Sequence, residues 1–414
     1  EPAHHNEYVM RTGYLFNLYG VPEAEAVAWA IEAFLLSQAE FRHNVITHHC
    51  EIRWTEEAGF LPLTDRDVNT LWGRMNKTVG RVYLTDIYNV IHSEFVPLFN
   101  PFQSYFDHLP SWDGVSDPIG DLADTVHVKS DQAEFRDYFR KWFVGILPAL
   151  LDDTVVNHEI LVLIGEQGLY KTTWFNFLLP PELRCYFYTK TNSDRLNKDD
   201  LFSLTEFALI CFEELDGMRP AELNQLKAMV TMPYVNERAA YGRNKERHPH
   251  IASFCGTGNN VQFLTDPTGN RRWLPFEVSQ IRDPHLHAIP YELVYSQAYA
   301  LWKSGFCHWF SQEEIRKLNM HNSRFEVPNL EEDLIRTHFR KPFEGEAGIF
   351  VTAADILEQI SSCLRYPLSP NKIGRIMAGL EFESIRYKGK RGYIAVKKTG
   401  EDIDRERRSG ALGL

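Results

Sequence analysis

The sequence predicts an α/β fold. A parallel-sheet core spans 131–285, behind a mostly helical region (1–130). A helical extension and linker (286–345), a small winged-helix-like domain (346–400) and a disordered tail (401–414) follow. Three observations carry this. Residues 160–164, Ile-Leu-Val-Leu-Ile, form an unbroken apolar run that ends in a glycine turn and a helix-compatible stretch. Residues 207–212, Phe-Ala-Leu-Ile-Cys-Phe, form a second run that ends in two acids. Apolar runs of this length suit strands buried on both faces, as in parallel sheets. Residues 348–398 alternate between strand-like and helix-like spacing within about fifty positions.

Taken in order, residues 8–45 have helical spacing and are rich in Ala, Leu and Phe. Asp65-Arg66-Asp67 reads as a helix start, followed by Leu71, Ile87, Val90 and Ile91. The stretch from Asn100-Pro101 to Trp112-Asp113-Gly114 is turn-rich at both ends. An amphipathic helix over 133–152 presents Phe135, Phe139, Trp142, Phe143, Ile146 and Leu150, and leads into the first core strand. Helical spacing returns in 288–318. Residues 322–346 carry charges and two prolines and read as a linker. Beyond it, Ile349–Thr352 is strand-like, and 353–363 and 370–380 are helix-like. Two short strands then flank Lys388-Gly389-Lys390-Arg391-Gly392.

Composition sets bounds. A chain of 414 residues exceeds one ordinary core. Hydrophobic residues make up 44% and charged residues 24%, as in an ordinary folded protein. A net charge of −12 excludes a globally basic nucleic-acid binder but leaves room for local basic surfaces. The six cysteines form no CxxC pair, which argues against a zinc ribbon or disulfide scaffold. Cys211 and Cys255 lie in apolar runs and are expected in the core. The group His48-His49-Cys50 lacks a partner cluster for a metal. With no long apolar span and no signal peptide, the expected location is cytoplasmic, without membrane contact. A chain opening at Glu1 is expected to be part of a longer protein.

Residues 165–173, Gly165-Glu166-Gln167-Gly168-Leu169-Tyr170-Lys171-Thr172-Thr173, place a glycine turn and a Lys-Thr pair between strand and helix. Backbone amides of such a turn make an anion nest. Lys171 then reaches the β- and γ-phosphates, and Thr172 ligates Mg²⁺. The expected ligands are ATP and Mg²⁺. Tyr170 stands where this pattern wants glycine. A left-handed backbone there costs about 1–2 kcal/mol. The competing reading is a plain strand–turn–helix corner with a solvated lysine.

Four further groups extend the expectation. Glu213 closes the second run and is placed to hold the metal, with Glu214 polarising the attacking water. Asn259 follows a third run, 251–256, expected between the two nucleotide-binding strands, where it can orient that water. Arg271 and Arg272 follow a turn and suit an arginine finger. Their distance along the chain from Lys171 allows action on a neighbouring subunit. One of them could instead pair with Asp266 or Glu277. Arg243, Lys245 and Arg247 lie in a basic stretch, 234–250, that reads as a hairpin for nucleic-acid phosphates or as a solvated loop. Residues 370–400 hold eight Lys/Arg against two acids. Lys388, Lys390 and Arg391 sit at the hairpin tip between Tyr387 and Tyr393, a candidate DNA contact or a protein-docking module.

The loop 165–173, the Glu213–Gly217 block, the 237–243 stretch and the segments 256–259 and 268–272 together resemble the virulence-associated protein E (VapE-like) family, over roughly 85–305. That family resembles superfamily 3 helicases, a branch of AAA+ ATPases. The resemblance implies a hexameric ring, hydrolysis at subunit interfaces, a basic hairpin in the channel, and often a primase domain in front. It implies ATP-driven translocation on single-stranded or forked DNA in replication of a mobile genetic element or phage. Lys171, Thr172, Glu213, Glu214 and Asn259 take the phosphate, metal, acid and sensor roles, and Arg271 or Arg272 the finger role. Tyr170 for Gly and Glu213 for Asp depart from the pattern. Two other readings stay open: a nucleotide-gated DNA-binding switch or replication initiator with slow turnover, and a P-loop phosphotransferase.

Overall fold

A computed structural model describes residues 23–191, 198–237, 246–265, 270–327, 330–343, 345–361 and 369–411. The chain forms two units, which divide between Phe325 and Glu326.

Among the described residues, the first unit begins with helix α1 (Glu23–Gln38), strands β1 (Ala39–Asn44), β2 (His49–Trp54) and β3 (Leu61–Pro62), helices α2 (Asp65–Thr78) and α3 (Leu84–Ile91), and strand β4 (Leu98–Phe99). The strands make a four-stranded sheet in the order β3-β2-β1-β4. This corrects the helical reading of residues 39–45, although helices make up most of the regular structure described in the region. Ala39 and Phe41 face inward while Glu40 faces solvent, and Cys50 and Ile52 alternate likewise. This two-residue period wins over the helical spacing upstream. α2 starts where expected, because Thr64 and Asp67 cap each other's backbone amides.

Helices α4 (Pro101–Asp107) and α5 (Pro118–Ala123) and strand β5 (Val126–Val128) follow. They pack into the central core, so that core begins before residue 131. Helix α6 (Gln132–Leu151) is capped by Asp131 and buries the aromatic face read from the sequence. It leads to β6 (Ile160–Ile164), α7 (Lys171–Phe177), β7 (Phe187–Lys190), α8 (Lys198–Glu206), β8 (Leu209–Phe212) and α9 (Pro220–Val230). The strands β9 (Tyr234–Glu237) and β10 (Glu246–Pro249) form an antiparallel pair; then come β11 (Ser253–Gly258), β12 (Trp273–Ile281), α10 (Tyr291–Lys303) and α11 (Gln312–Asn322).

Six strands form the central sheet in the order β5-β12-β6-β11-β8-β7. All neighbours are parallel except β5, which runs antiparallel to β12. β6 is fully buried, and its side chains divide by parity. Leu161 and Leu163 join one core with Trp142 of α6 and Tyr295 of α10. Ile160, Val162 and Ile164 join the opposite core with Leu223 and Leu226 of α9. Helices therefore cover both faces. Cys211 and Cys255 are buried side by side on β8 and β11.

The second unit contains α12 (Leu330–His338), β13 (Phe339–Arg340), β14 (Ile349–Val351), α13 (Ala353–Ser361), α14 (Pro370–Gly379), β15 (Ser384–Tyr387), β16 (Lys390–Lys397) and α15 (Gly400–Ala411). β16 pairs antiparallel with β13, β14 and β15. Three expectations are corrected. The linker stretch contains α12, whose Ile335 is fully buried with Phe339, Ile356 and Ile373. The tail expected to be disordered forms α15 up to Ala411. Thr399 and Asp402 form a reciprocal cap, and Glu401 and Asp402 favour the helix start. Tyr393 lies in the core, its hydroxyl donating to the Gly374 carbonyl, and so does not flank the basic tip. Among the described residues, no helix is long and apolar enough to cross a membrane.

Candidate functional site

β6 delivers the chain to the loop 165–170 at the carboxyl edge of the sheet, where β8 and β11 also end. The Gly165 amide donates to the Gly258 carbonyl (3.1 Å), tying the loop to the end of β11. A Cβ at Gly165 would meet the Val278 carbonyl oxygen at 2.9 Å, so the close approach needs glycine. Tyr170 adopts φ 60°, ψ 19°, the left-handed conformation weighed for its position, and the residue is 43% exposed. That backbone costs about 1–2 kcal/mol for a residue with a Cβ.

Lys171, the first residue of α7, is buried. Its Nζ donates to the carbonyls of Gly165 (2.6 Å) and Glu166 (2.7 Å). Burial lowers its pKa, and the nearby Asp216 carboxylate opposes that shift. Thr172 Oγ1 donates to Glu213 Oε1 (2.8 Å). The Glu213 amide is fixed by the Lys190 carbonyl (3.0 Å), and Lys190 makes a buried ion pair with Asp200. Glu214 follows in a left-handed conformation, φ 54°. Asn259 extends from β11, which lies between β6 and β8 as the sequence suggested. Its amide donates to Asp216 Oδ1 (3.1 Å), and the Asn260 amide to Asp216 Oδ2 (3.1 Å). Asp216 thus joins the ends of β8 and β11, a role not singled out from the sequence. A third acid four residues beyond the apolar run was its only signal. Lys171, Thr172, Glu213, Glu214 and Asn259, with loop residues 167–170, line a cavity of about 350 Å³.

Arg271 and Arg272 lie elsewhere. They precede β12, and Trp273 is level with Ile160, the first residue of β6, whereas the loop follows its last. At about 3.3 Å per residue, they stand roughly 16 Å away along the strands. Arg271 is exposed and Arg272 half-buried. Burial and the charge of Arg271 lower the Arg272 pKa, against an attraction to Glu159. Glu159 itself is pushed up to about 7, chiefly by burial. Glu277 lies midway along β12, level with Ile164 at the end of β6, and pairs with Lys129 (2.6 Å), so it is no partner for either arginine. Asp266 lies outside the described residues.

Of the basic hairpin, Arg243 and Lys245 lie outside the described residues. Arg247 is exposed on β10 and stacks on the Tyr234 ring (3.9 Å). His250 is buried and its pKa falls to about 4, chiefly by desolvation, so it adds no charge to the hairpin near neutral pH. In the second unit, Lys388 (φ 47°) and Gly389 (φ 78°) form the two-residue turn joining β15 to β16. Lys388, Lys390 and Arg391 are all exposed there. Among the described residues, no group of three His, Cys, Asp or Glu is placed to hold a metal. His48 packs edge-on against His248, and Cys50 is buried in its sheet.

A search of the curated proteins returns no match. Three solved structures of the NrS-1 C-terminal region, all described as apo, align with the chain. One shares 11% identity, covers 90% of this chain and 99% of its own, and gives a TM-score of 0.47. A second shares 12% over 90% and 99%, with a TM-score of 0.45. A third shares 12% over 89% and 99%, with a TM-score of 0.46. The family model of the virulence-associated protein E-like domain matches residues 107–327. That match spans more than half of the sequence and takes in the loop, the strand ends that carry Glu213, Glu214 and Asn259, and the arginine pair, so the chain belongs to the virulence-associated protein E-like family.

Proposed function

We propose that the chain is a P-loop ATPase of the superfamily 3-like AAA+ type that couples ATP hydrolysis to movement along DNA during replication of a mobile element or phage. The observation that carries this is the convergence of Lys171, Thr172, Glu213, Glu214 and Asn259 on one cavity at the carboxyl edge of a parallel sheet. Lys171 leaves the Gly165 and Glu166 carbonyls and pairs with the β- and γ-phosphates, while loop amides bind the same oxygens. Thr172 Oγ1 and Glu213 Oε1, 2.8 Å apart, are hard oxygen donors suited to Mg²⁺. Held there, Mg²⁺ would neutralise the charge that develops on the transferring phosphoryl group. Glu214 orients and polarises the attacking water, and Asn259 fixes its position opposite the γ-phosphate.

The separation of the arginines from the loop within one chain favours action in trans. Arg271, the exposed member, is the finger on a neighbouring copy, and Arg272 is held beside Glu159. A hexameric ring supplies such neighbours. The basic hairpin with Arg243, Lys245 and Arg247 faces the DNA strand, and the winged-helix-like unit adds Lys388, Lys390 and Arg391. A primase domain in front of this chain fits the same reading.

A second reading, a nucleotide-gated switch with slow turnover, is favoured by the strained Tyr170 backbone in the phosphate loop. Both readings need Lys171. Lys171→Ala should abolish ATP hydrolysis, assayed by phosphate release with and without single-stranded DNA. Undiminished turnover would remove the loop from the chemistry.

A further inference from the structure

We propose that Asn322 is a positioning residue of the hydrolytic site: it holds the Arg271–Arg272 turn in the form presented to a neighbouring copy. This rests on the reading of that turn as a finger in trans.

The outer edge of β12 is covered by two different means. β5 pairs with Val278, Gln280 and Ile281 only. At the arginine end of the strand, side chains from the last turn of α11 take that place. Asn322 is fully buried, and its Nδ2 donates to both the Asn270 carbonyl (2.7 Å) and the Trp273 carbonyl (3.0 Å). These carbonyls belong to the residues immediately before Arg271 and immediately after Arg272. One amide therefore closes the turn like a staple. Beside it, the His321 ring bonds to the Pro275 carbonyl (2.7 Å) and to the Glu134 carboxylate on α6 (2.9 Å), which anchors α11 to the sheet. The fixed points lie on either side of the arginines, while the Arg271 side chain stays exposed. This suits a cation that must arrive at a second chain in one orientation. A buried amide with two backbone acceptors has no close substitute. An apolar residue strands both carbonyls, and an aspartate replaces the donor with a buried charge.

The test uses the full chain with Asn322→Leu and the milder Asn322→Ser, which keeps one short donor. Both should bind a fluorescent ATP analogue within about twofold of the parent, because the loop is remote. Turnover should fall by at least roughly tenfold for Asn322→Leu, a part of the 10³–10⁵ that a finger supplies, and less for Asn322→Ser, with KM for ATP little changed. Asn322→Leu chains mixed with Lys171→Ala chains should regain activity, since some interfaces then join an intact loop to an intact turn. Arg271→Ala/Arg272→Ala chains mixed with Lys171→Ala chains form the parallel arm. Restoration in the arginine arm without restoration in the Asn322 arm would overturn the positioning role alone. Failure of both arms, with assembly intact by native mass, would overturn the trans reading and this role with it. Unchanged turnover in folded Asn322→Leu would also overturn the role.

Discussion

At the scale of single residues, Tyr170 sets the terms. It occupies a left-handed backbone position directly before the lysine that the site depends on. The strain of about 1–2 kcal/mol has persisted in a loop that contacts the proposed ligand. Strain of this kind gathers at functional sites because surrounding structure over-determines it. Tyr170→Gly should stabilise the fold by about 1 kcal/mol, since relief of strain outweighs the backbone entropy that glycine adds in the unfolded chain, about 0.5–1 kcal/mol. Chemical denaturation measures this directly. A rise in ATP turnover alongside it would favour the switch reading, with Tyr170 as the brake. Loss of stability would show that the ring contributes more by its contacts than its backbone costs.

At the scale of elements, legibility followed the kind of signal. β6, β8 and α6 could be read because their apolar residues are continuous or evenly spaced, and burial on both faces of the sheet demands that pattern. The first two strands could not, because the helical run of Phe34 and Leu35 continues without a break into Phe41. Helix α12 was hidden by Glu331, Glu332 and Asp333, which read as linker charge but form its acidic first turn. Within the site, the groups after β6, β8 and β11 were legible from strand ends alone. The placing of Arg271 and Arg272 was not, since it depends on β12 running parallel to β6 and so starting at the far edge. Asn322 gave no signal, because its meaning lies in two carbonyls some fifty residues earlier. The β15–β16 hairpin carries its own prediction. Lys388→Ala/Lys390→Ala/Arg391→Ala should weaken DNA binding and reduce the salt slope of log K by roughly 2–3, at about 0.7–0.9 per lost phosphate contact. Titration at several salt concentrations checks this, and an unchanged slope would assign the tip to another partner.

At the scale of the whole molecule, charge and chemistry are partitioned. The chain is acidic overall at −12, yet Lys388, Lys390 and Arg391 crowd one turn, and the cavity beside Lys171 is lined within the first unit. Under the proposed function, DNA contact and phosphate contact fall to different elements, so substitutions at the β15–β16 turn should leave ATP binding unchanged. The parallel course of β6 and β12 has one last consequence. Each polypeptide keeps its lysine at one pole of the sheet and its arginines at the opposite pole, so under the proposed mechanism it can never serve itself. Dilution should silence it: hydrolysis per chain should collapse below the assembly threshold and climb steeply above it, and a specific rate that stays flat on dilution to monomers would mean that every chain is self-sufficient.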